Sequence, residues 1–255
     1  MSRISFLLML ILVIASLLII NNWLLNHSYT LDDNYIGKRL DSYISRNVDK
    51  IAETLREQSI KKQYAVQENA TKNKISQYKD KIFDLNYPNS GNKDSSIIAV
   101  GFFDYSCGYC KVIKDDVKQL IDDGKVKYIF RDAPILGNNS LKAAKSALAI
   151  HFIDKEKYLD FHYAALTHKG EFLDSDILDI IQNIGINEND FNNSMKNNAD
   201  EIEQMINGSK HLVKDLGVGG TPFLIIGDSL FVGATELDIL RNKVDELSNK
   251  LNQLL

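Results

Sequence analysis

The sequence predicts an α/β domain made of a βαβ unit, a helical insertion and a ββα unit, set behind a long N-terminal helix. Three observations carry that prediction. Ser96 to Phe103 (SIIAVGFF) is a short, nearly continuous apolar run, as a strand buried on both faces requires. Val126 to Phe130 (VKYIF) is a second such run, and between the two lie Cys110, Ile113, Val117, Leu120 and Ile121 at helical spacing, stopped by Gly124. Pro222 to Ile226 (PFLII) and Ser229 to Val232 form a late pair joined by Gly227-Asp228, a two-residue hairpin signal.

The first element is apolar. Residues 4 to 25 carry no charge and follow a single Arg3, the pattern of an export signal. About 20 apolar residues also suffice to span a bilayer. Segment 1–25 is therefore read as a signal peptide or a signal anchor, and either one delivers the rest of the chain across a membrane.

A long helix comes next. Between Leu31 and Lys81 there is no proline and only one glycine, Gly37. Ile36, Leu40, Ile44, Val48, Ile51 and Leu55 fall at steps of 3 and 4, one apolar stripe along a helix, which thins to Ile60, Tyr64, Ile75, Tyr78 and Ile82. So narrow a stripe packs either on its own domain or on copies of itself, as a homo-oligomeric bundle through residues 31–85. Residues 30–87 are read as a helical stalk. Tyr87-Pro88-Asn89-Ser90-Gly91-Asn92 reads as the linker that ends it.

The remaining residues, 88–255, hold the α/β domain. After the βαβ unit, a crossover that should be right-handed, residues of about 138–217 turn helical. Within them Tyr158, Phe161 and Leu166 read as core, His162 as a capped or surface histidine ahead of one lining the active site, and 187–200 as a solvated connection. A last helix is expected from Thr235, with Asp238 three residues on.

Composition narrows the chemistry. The chain has 255 residues, 44% hydrophobic and 25% charged, with net charge −4, so no basic field draws it to nucleic acid. Two cysteines in the whole chain cannot frame a disulfide-rich miniprotein or a four-thiolate zinc site. The five histidines, His27, His151, His162, His168 and His211, supply no spacing that completes a metal site, and no cofactor is implied.

What the cysteines can do follows from their position. Cys107-Gly108-Tyr109-Cys110 lies directly between a strand and a helix. Cysteines three apart at a helix start bring both sulfurs within bonding range, while the unpaired N–H groups and positive dipole end favour a thiolate on the first. Cys107 should then titrate below the usual value of about 8.5 and act as attacker, with Cys110 one turn inside as resolving thiol. A staple across so small a loop gains little chain entropy, which leaves a redox-active disulfide as the use of the pair. Thr221-Pro222, at the start of the third strand, suggests a cis peptide bond that leaves the Thr221 backbone free to pair with an extended substrate.

Taken together, strand–CGYC–helix, the inserted helices and GTPF before the ββα half resemble the DsbA-like branch of the thioredoxin superfamily. The long helix and FFDYSCGYC resemble the DsbA-related bacterial proteins whose N-terminal helices form an oligomeric stalk. FRDAPILG (130–137) also resembles the family segment after its second strand. The match spans about residues 85–250 and implies a thioredoxin fold with an inserted helical domain. It also implies Cys107 as nucleophile, Cys110 as resolving cysteine, and Thr221 with Pro222 as the substrate-side loop.

Two departures stand out. Relatives often carry an acidic residue six positions before the first cysteine, where this chain has Gly101. Asp104 is near and is weighed as a substitute proton relay, but a place on the surface or as a helix cap is the favoured expectation. Second, Gly-Tyr between the cysteines, with Thr before the proline, resembles disulfide isomerases more than the strongest oxidases.

The reading is a periplasmic thiol–disulfide oxidoreductase, soluble after signal cleavage or anchored to the inner membrane. It would form disulfide bonds in exported cysteine-containing proteins and work with a membrane redox partner. The alternative is an isomerase or reductase acting as a stalk-mediated oligomer. A non-catalytic envelope protein on the same fold is a third reading, marked by an unshifted Cys107.

Overall fold

The computed structural model describes residues 3–26, 33–170 and 172–253. His27 and the head of the expected stalk, residues 30–32, lie outside the described residues. The chain divides into two compact units, 1–65 and 66–255.

The first unit is helical. Helix α1 (Arg3–Asn26) contains Ser5–Leu25, a stretch long and apolar enough to cross a membrane, with its side chains exposed. Helix α2 (Asp33–Gln77) starts in this unit and kinks at Asn47, where φ is −121° and ψ 17°. The Asn47 amide there donates to the Tyr43 carbonyl at 2.8 Å, and a side chain competing with the helical ladder in this way bends it. The apolar stripe is present: Ile36, Leu40, Ile44, Val48 and Leu55 are all exposed.

The second unit begins with the end of α2 and a short turn of helix, α3 (Lys79–Ile82). Its elements are then β1 (Asn89–Gly91), β2 (Ile98–Phe103), α4 (Gly108–Asp122), β3 (Lys127–Asp132) and α5 (Asn138–Ile153). There follow α6 (Lys155–Thr167), α7 (Asp174–Asn183), α8 (Glu188–Asn197) and α9 (Ala199–Leu216), then β4 (Phe223–Ile226), β5 (Ser229–Val232) and α10 (Leu237–Asn252). The sheet order is β1-β3-β2-β4-β5; β2 and β3 run parallel and every other pair is antiparallel.

Strand alternation builds two cores. From β2 and β3, Ala99, Phe103, Tyr128 and Phe130 face α4, α10 and the inserted helices. Val100, Phe102 and Ile129 face the other way, onto Leu212, Val213 and Leu216 of α9 and onto Ile75 and Ile82. The central strands are buried on both faces and are therefore apolar throughout, as expected. Of the two packings open to the long helix, its last residues take the first and seat on their own domain.

Four local expectations are corrected. Asn89–Gly91, read as linker, pairs antiparallel with β3 as an edge strand, because the Pro88 carbonyl and the Asn92 N–H continue the pairing to Phe130 and Val126. Residues 187–200 contain α8, capped by the Asn187 side chain and anchored by buried Phe191 and by the Ser194 hydroxyl on the Ala149 carbonyl. The last helix starts at Leu237 rather than Thr235, with Glu236 at its N-cap. Asp104 is 1% exposed, at the turn after β2, and is neither a surface residue nor the helix cap.

Candidate active site

Cys107 is the N-cap of α4, with extended backbone (φ −80°, ψ 119°), so the chain turns from strand into helix at the sulfur itself. The turn is held from behind. The Asp104 carboxylate accepts from Ser106 N–H (2.8 Å), Ile135 N–H (2.8 Å), Leu136 N–H (3.0 Å) and the Ser140 hydroxyl (2.6 Å). One buried carboxylate thus ties the dithiol turn to the start of the helical insertion, and its own charge is satisfied by four donors.

The structure brings the four sequence-predicted residues together. The peptide bond Thr221–Pro222 is cis, and the Thr221 carbonyl lies 3.1 Å from the Cys107 sulfur, which donates to it as a thiol. Pro222 and Cys110 line one small cavity. Cys107 is 7% exposed and Cys110 1%, so the second sulfur sits deeper, one helical turn on. Both are free thiols. The Thr221 hydroxyl is buried and close enough to both sulfurs to favour their ionised forms, yet it has no well-formed hydrogen bond with any protein group.

The two thiols are pushed in opposite directions. Cys107 is lowered to about 5, first by the hydrogen bond from the Cys110 thiol, then by the backbone N–H groups of Cys110 and Tyr109 and by the Thr221 hydroxyl; burial opposes this. Cys110 is pushed up, first by its bond to Cys107 and next by burial, although the Asp104 N–H points at its sulfur from 3.5 Å. The arrangement yields a stable outer thiolate and an inner thiol that keeps its proton.

Sequence reasoning missed what stands behind Cys110. His162, expected as a capped or surface residue, is 3% exposed, with Nδ1 3.3 Å from the Tyr105 hydroxyl, and burial lowers its pKa to about 3. The Tyr158 hydroxyl donates to Asp132 Oδ2 at 3.3 Å, and burial lifts that carboxyl to about 7. Tyr128 is buried on β3 beside Gly101. The signal for Tyr128 lay in the strand pattern: with Phe130 it alternates onto the face where β2 carries Ala99, Gly101 and Phe103, with the glycine in the middle. Tyr158, Phe161 and Leu166 are core, as expected. Among the described residues no cluster of His, Cys, Asp and Glu has the arrangement of a metal site.

Comparison with known proteins follows this geometry. The family model of the DSBA-like thioredoxin domain matches residues 99–245. The solved thiol-disulfide exchange protein alpha-DsbA2 from Wolbachia pipientis is 76% identical, covering 71% of this chain and 98% of that one, with a TM-score of 0.71. A thioredoxin-like oxidoreductase from Silicibacter pomeroyi is 34% identical over 67% of this chain and 97% of its own, with a TM-score of 0.62. Among curated proteins, disulfide bond formation protein D of Bacillus subtilis is 34% identical over 80 residues. That match spans 29% of this chain and about a third, 36%, of the relative. The family match covers more than half the chain and includes both strands of the βαβ unit, the dithiol and the cis-proline: the chain belongs to the DsbA-like thioredoxin domain family and is a thiol–disulfide oxidoreductase of the DsbA type.

Proposed function

We propose that this chain forms disulfide bonds in exported cysteine-containing proteins through its CGYC dithiol, on the periplasmic side of a membrane. The observation that carries the reading is the Cys107 sulfur, which caps a helix beside the Thr221 carbonyl where its neighbours lower its pKa. A client thiolate attacks the Cys107 sulfur of the Cys107–Cys110 disulfide, and Cys110 departs with the electron pair. A second client thiolate then attacks the client sulfur of the mixed disulfide, and Cys107 leaves as its stable thiolate. Both protein thiols end reduced and the client holds the new disulfide; a membrane redox partner accepts the two electrons.

The surroundings support client binding. Tyr109, Val112 and Leu136 expose apolar surface around the dithiol, and the Thr221 backbone next to Pro222 suits pairing with an extended chain. The apolar segment within 1–25 supports export, either cleaved or retained as an anchor. In this proposal the stalk covers residues 30–87 and the catalytic domain 88–255.

One observation favours a second reading, an isomerase or reductase assembled through its stalk. Ile36, Leu40, Ile44, Val48 and Leu55 leave an apolar stripe uncovered on the first unit, and a bundle of copies would bury it. Supplying reduced and scrambled ribonuclease in glutathione buffer separates the two. Activity regained only from the reduced form supports the oxidase, and activity regained from the scrambled form supports the isomerase. If neither recovers beyond a Cys107→Ser control, both readings fail.

A further inference from the structure

Every turn of a dithiol cycle moves a proton on and off the inner sulfur. When Cys110 leaves the internal disulfide it carries an electron pair and must gain one proton; when it attacks a mixed disulfide on Cys107 it must first lose one. Cys110 is 1% exposed, so bulk water does not reach it directly. The groups that can serve it are those around the cavity it lines, which has a volume of about 20 Å³, room for a single water.

That cavity is lined by Gly101, Lys114, Tyr128 and His162 besides Cys110 and Pro222. The polar groups are not equivalent. The Lys114 ammonium is paired with the exposed Asp115 at 2.8 Å. His162 has Nδ1 committed to the Tyr105 hydroxyl and is held neutral by burial. The Tyr128 side chain is buried and its hydroxyl makes no hydrogen bond among the described residues, so it stands open to the cavity it lines. Burial pushes its pKa up, so it stays a neutral O–H donor across the working range.

Gly101 supplies the second observation. A Cβ at position 101 would stand 1.7 Å from the Tyr128 hydroxyl oxygen, a distance no real contact shows. Gly101 lies inside a paired strand with negative φ, so no left-handed turn requires glycine there. What requires it is the close approach of that hydroxyl. Position 101 is emptied so that an uncommitted donor can reach the cavity under Cys110.

We infer that Tyr128 manages the proton of Cys110: its hydroxyl, directly or through one water in the cavity, donates to the Cys110 thiolate when that sulfur leaves or attacks. The inference rests on the reading of Cys110 as the resolving thiol. In the leaving direction the Cys107–Cys110 bond breaks, the electron pair stays on Cys110, and the hydroxyl stabilises the thiolate until a proton arrives through the cavity. In the attacking direction the Cys110 proton leaves through the cavity to solvent, and the same donor steadies the thiolate while it displaces the client from Cys107. Of the other titratable groups around Tyr128 and Cys110, Cys107 caps α4, Lys114 lies on it, and His162 and Tyr163 come from α6; none changes in the test variant.

Tyr128→Phe removes one oxygen and keeps the ring against Phe130. In the full chain, glutathione is loaded on Cys107 as a mixed disulfide and its displacement by Cys110 is timed. Displacement is expected to slow roughly ten- to a hundredfold, the effect of losing one hydrogen bond to a charged sulfur. Direct alkylation of Cys107 in the reduced protein should keep its pH profile. As an independent readout, in Cys107→Ser the thiolate absorbance of Cys110 should rise at a pH about one unit or more higher when Tyr128→Phe is added. Unchanged displacement and unchanged titration overturn the inference, and so does a shifted Cys107 profile, which marks a structural effect. A wild-type chain that never displaces glutathione overturns instead the dithiol reading on which this one rests.

Discussion

The sulfur of Cys107 donates a hydrogen bond to the carbonyl oxygen of Thr221 at 3.1 Å, across 114 residues of sequence. That bond belongs to the thiol. Once Cys107 ionises, sulfur and carbonyl are both acceptors, so the carbonyl is released to an incoming N–H. The Thr221 hydroxyl, buried and without a well-formed bond, is then at hand to donate to the thiolate.

Cys107 should therefore be half-alkylated near pH 5, with the profile moving to higher pH in Cys110→Ala, which removes the largest cause of the shift. The unfolded thiol titrates near about 8.5. Because the folded value is lower, the ionised sulfur stabilises the reduced protein above the unfolded pKa, and that gain is lost as pH falls through about 5. Thermal melts of reduced and oxidised protein should differ most in mild alkali and converge in acid.

Thr221→Val exchanges a buried, poorly bonded hydroxyl for a methyl of similar size. Stability is expected to hold or rise slightly, since no well-formed hydrogen bond is lost. The alkylation midpoint of Cys107 should move up. A variant with unchanged titration would show that the hydroxyl has no part in tuning the sulfur.

Asp104→Ala strands three backbone N–H groups and the Ser140 hydroxyl. The expected loss is about 3 kcal/mol or more, read as a lowered urea midpoint. Asp104→Asn, which keeps one acceptor oxygen, should fall between the two.

Asp132 gives a pH signature of opposite sign. Burial lifts its carboxyl to about 7, above the unfolded value of about 3.9. Stability from this group is full below the unfolded pKa and declines as pH rises toward about 7, by roughly 1.4 kcal/mol per pH unit at most. Asp132→Asn should erase that slope, so the variant gains on wild type from acid to neutral pH in denaturant titrations.

For the stalk, Leu40→Glu with Val48→Glu places charge on the uncovered stripe. Under the second reading, light scattering shows a multimer for the intact chain and a monomer for the double variant, with recovery of scrambled ribonuclease reduced in parallel; equal mass for both chains removes the stalk from the mechanism. Substitution is the sounder test, because deleting 30–85 would also remove Ile75 and Ile82 from the sheet core.

The sheet and the dithiol were legible because their signals are local. Runs such as SIIAVGFF announce a strand buried on both faces, and Cys107-x-x-Cys110 directly after such a run places two sulfurs one turn apart at a helix start. Thr221-Pro222 needed only a rare proline at a strand start. What sequence reading missed depends on packing between distant segments. Asp104 reads as a solvated acid until residues 135–140 fold back to supply its donors. His162 reads as an ordinary helix residue until α6 crosses behind β2 and β3, where the rings of Phe103 and Phe130 close over it. Asn89–Gly91 has the composition of a linker, and only the neighbouring edge of β3 makes it a strand.

The depth of Cys110 bears on how long an encounter lasts. Sheathed by the sheet and by its own helix, that sulfur is closed to any reagent too wide for the gap, client chains included. In the proposed cycle a captured client therefore stays until a second client thiol arrives or until Cys110, already beside Cys107, sheds its proton and attacks. The second clock is set by the protein alone, whatever the crowd of thiols outside.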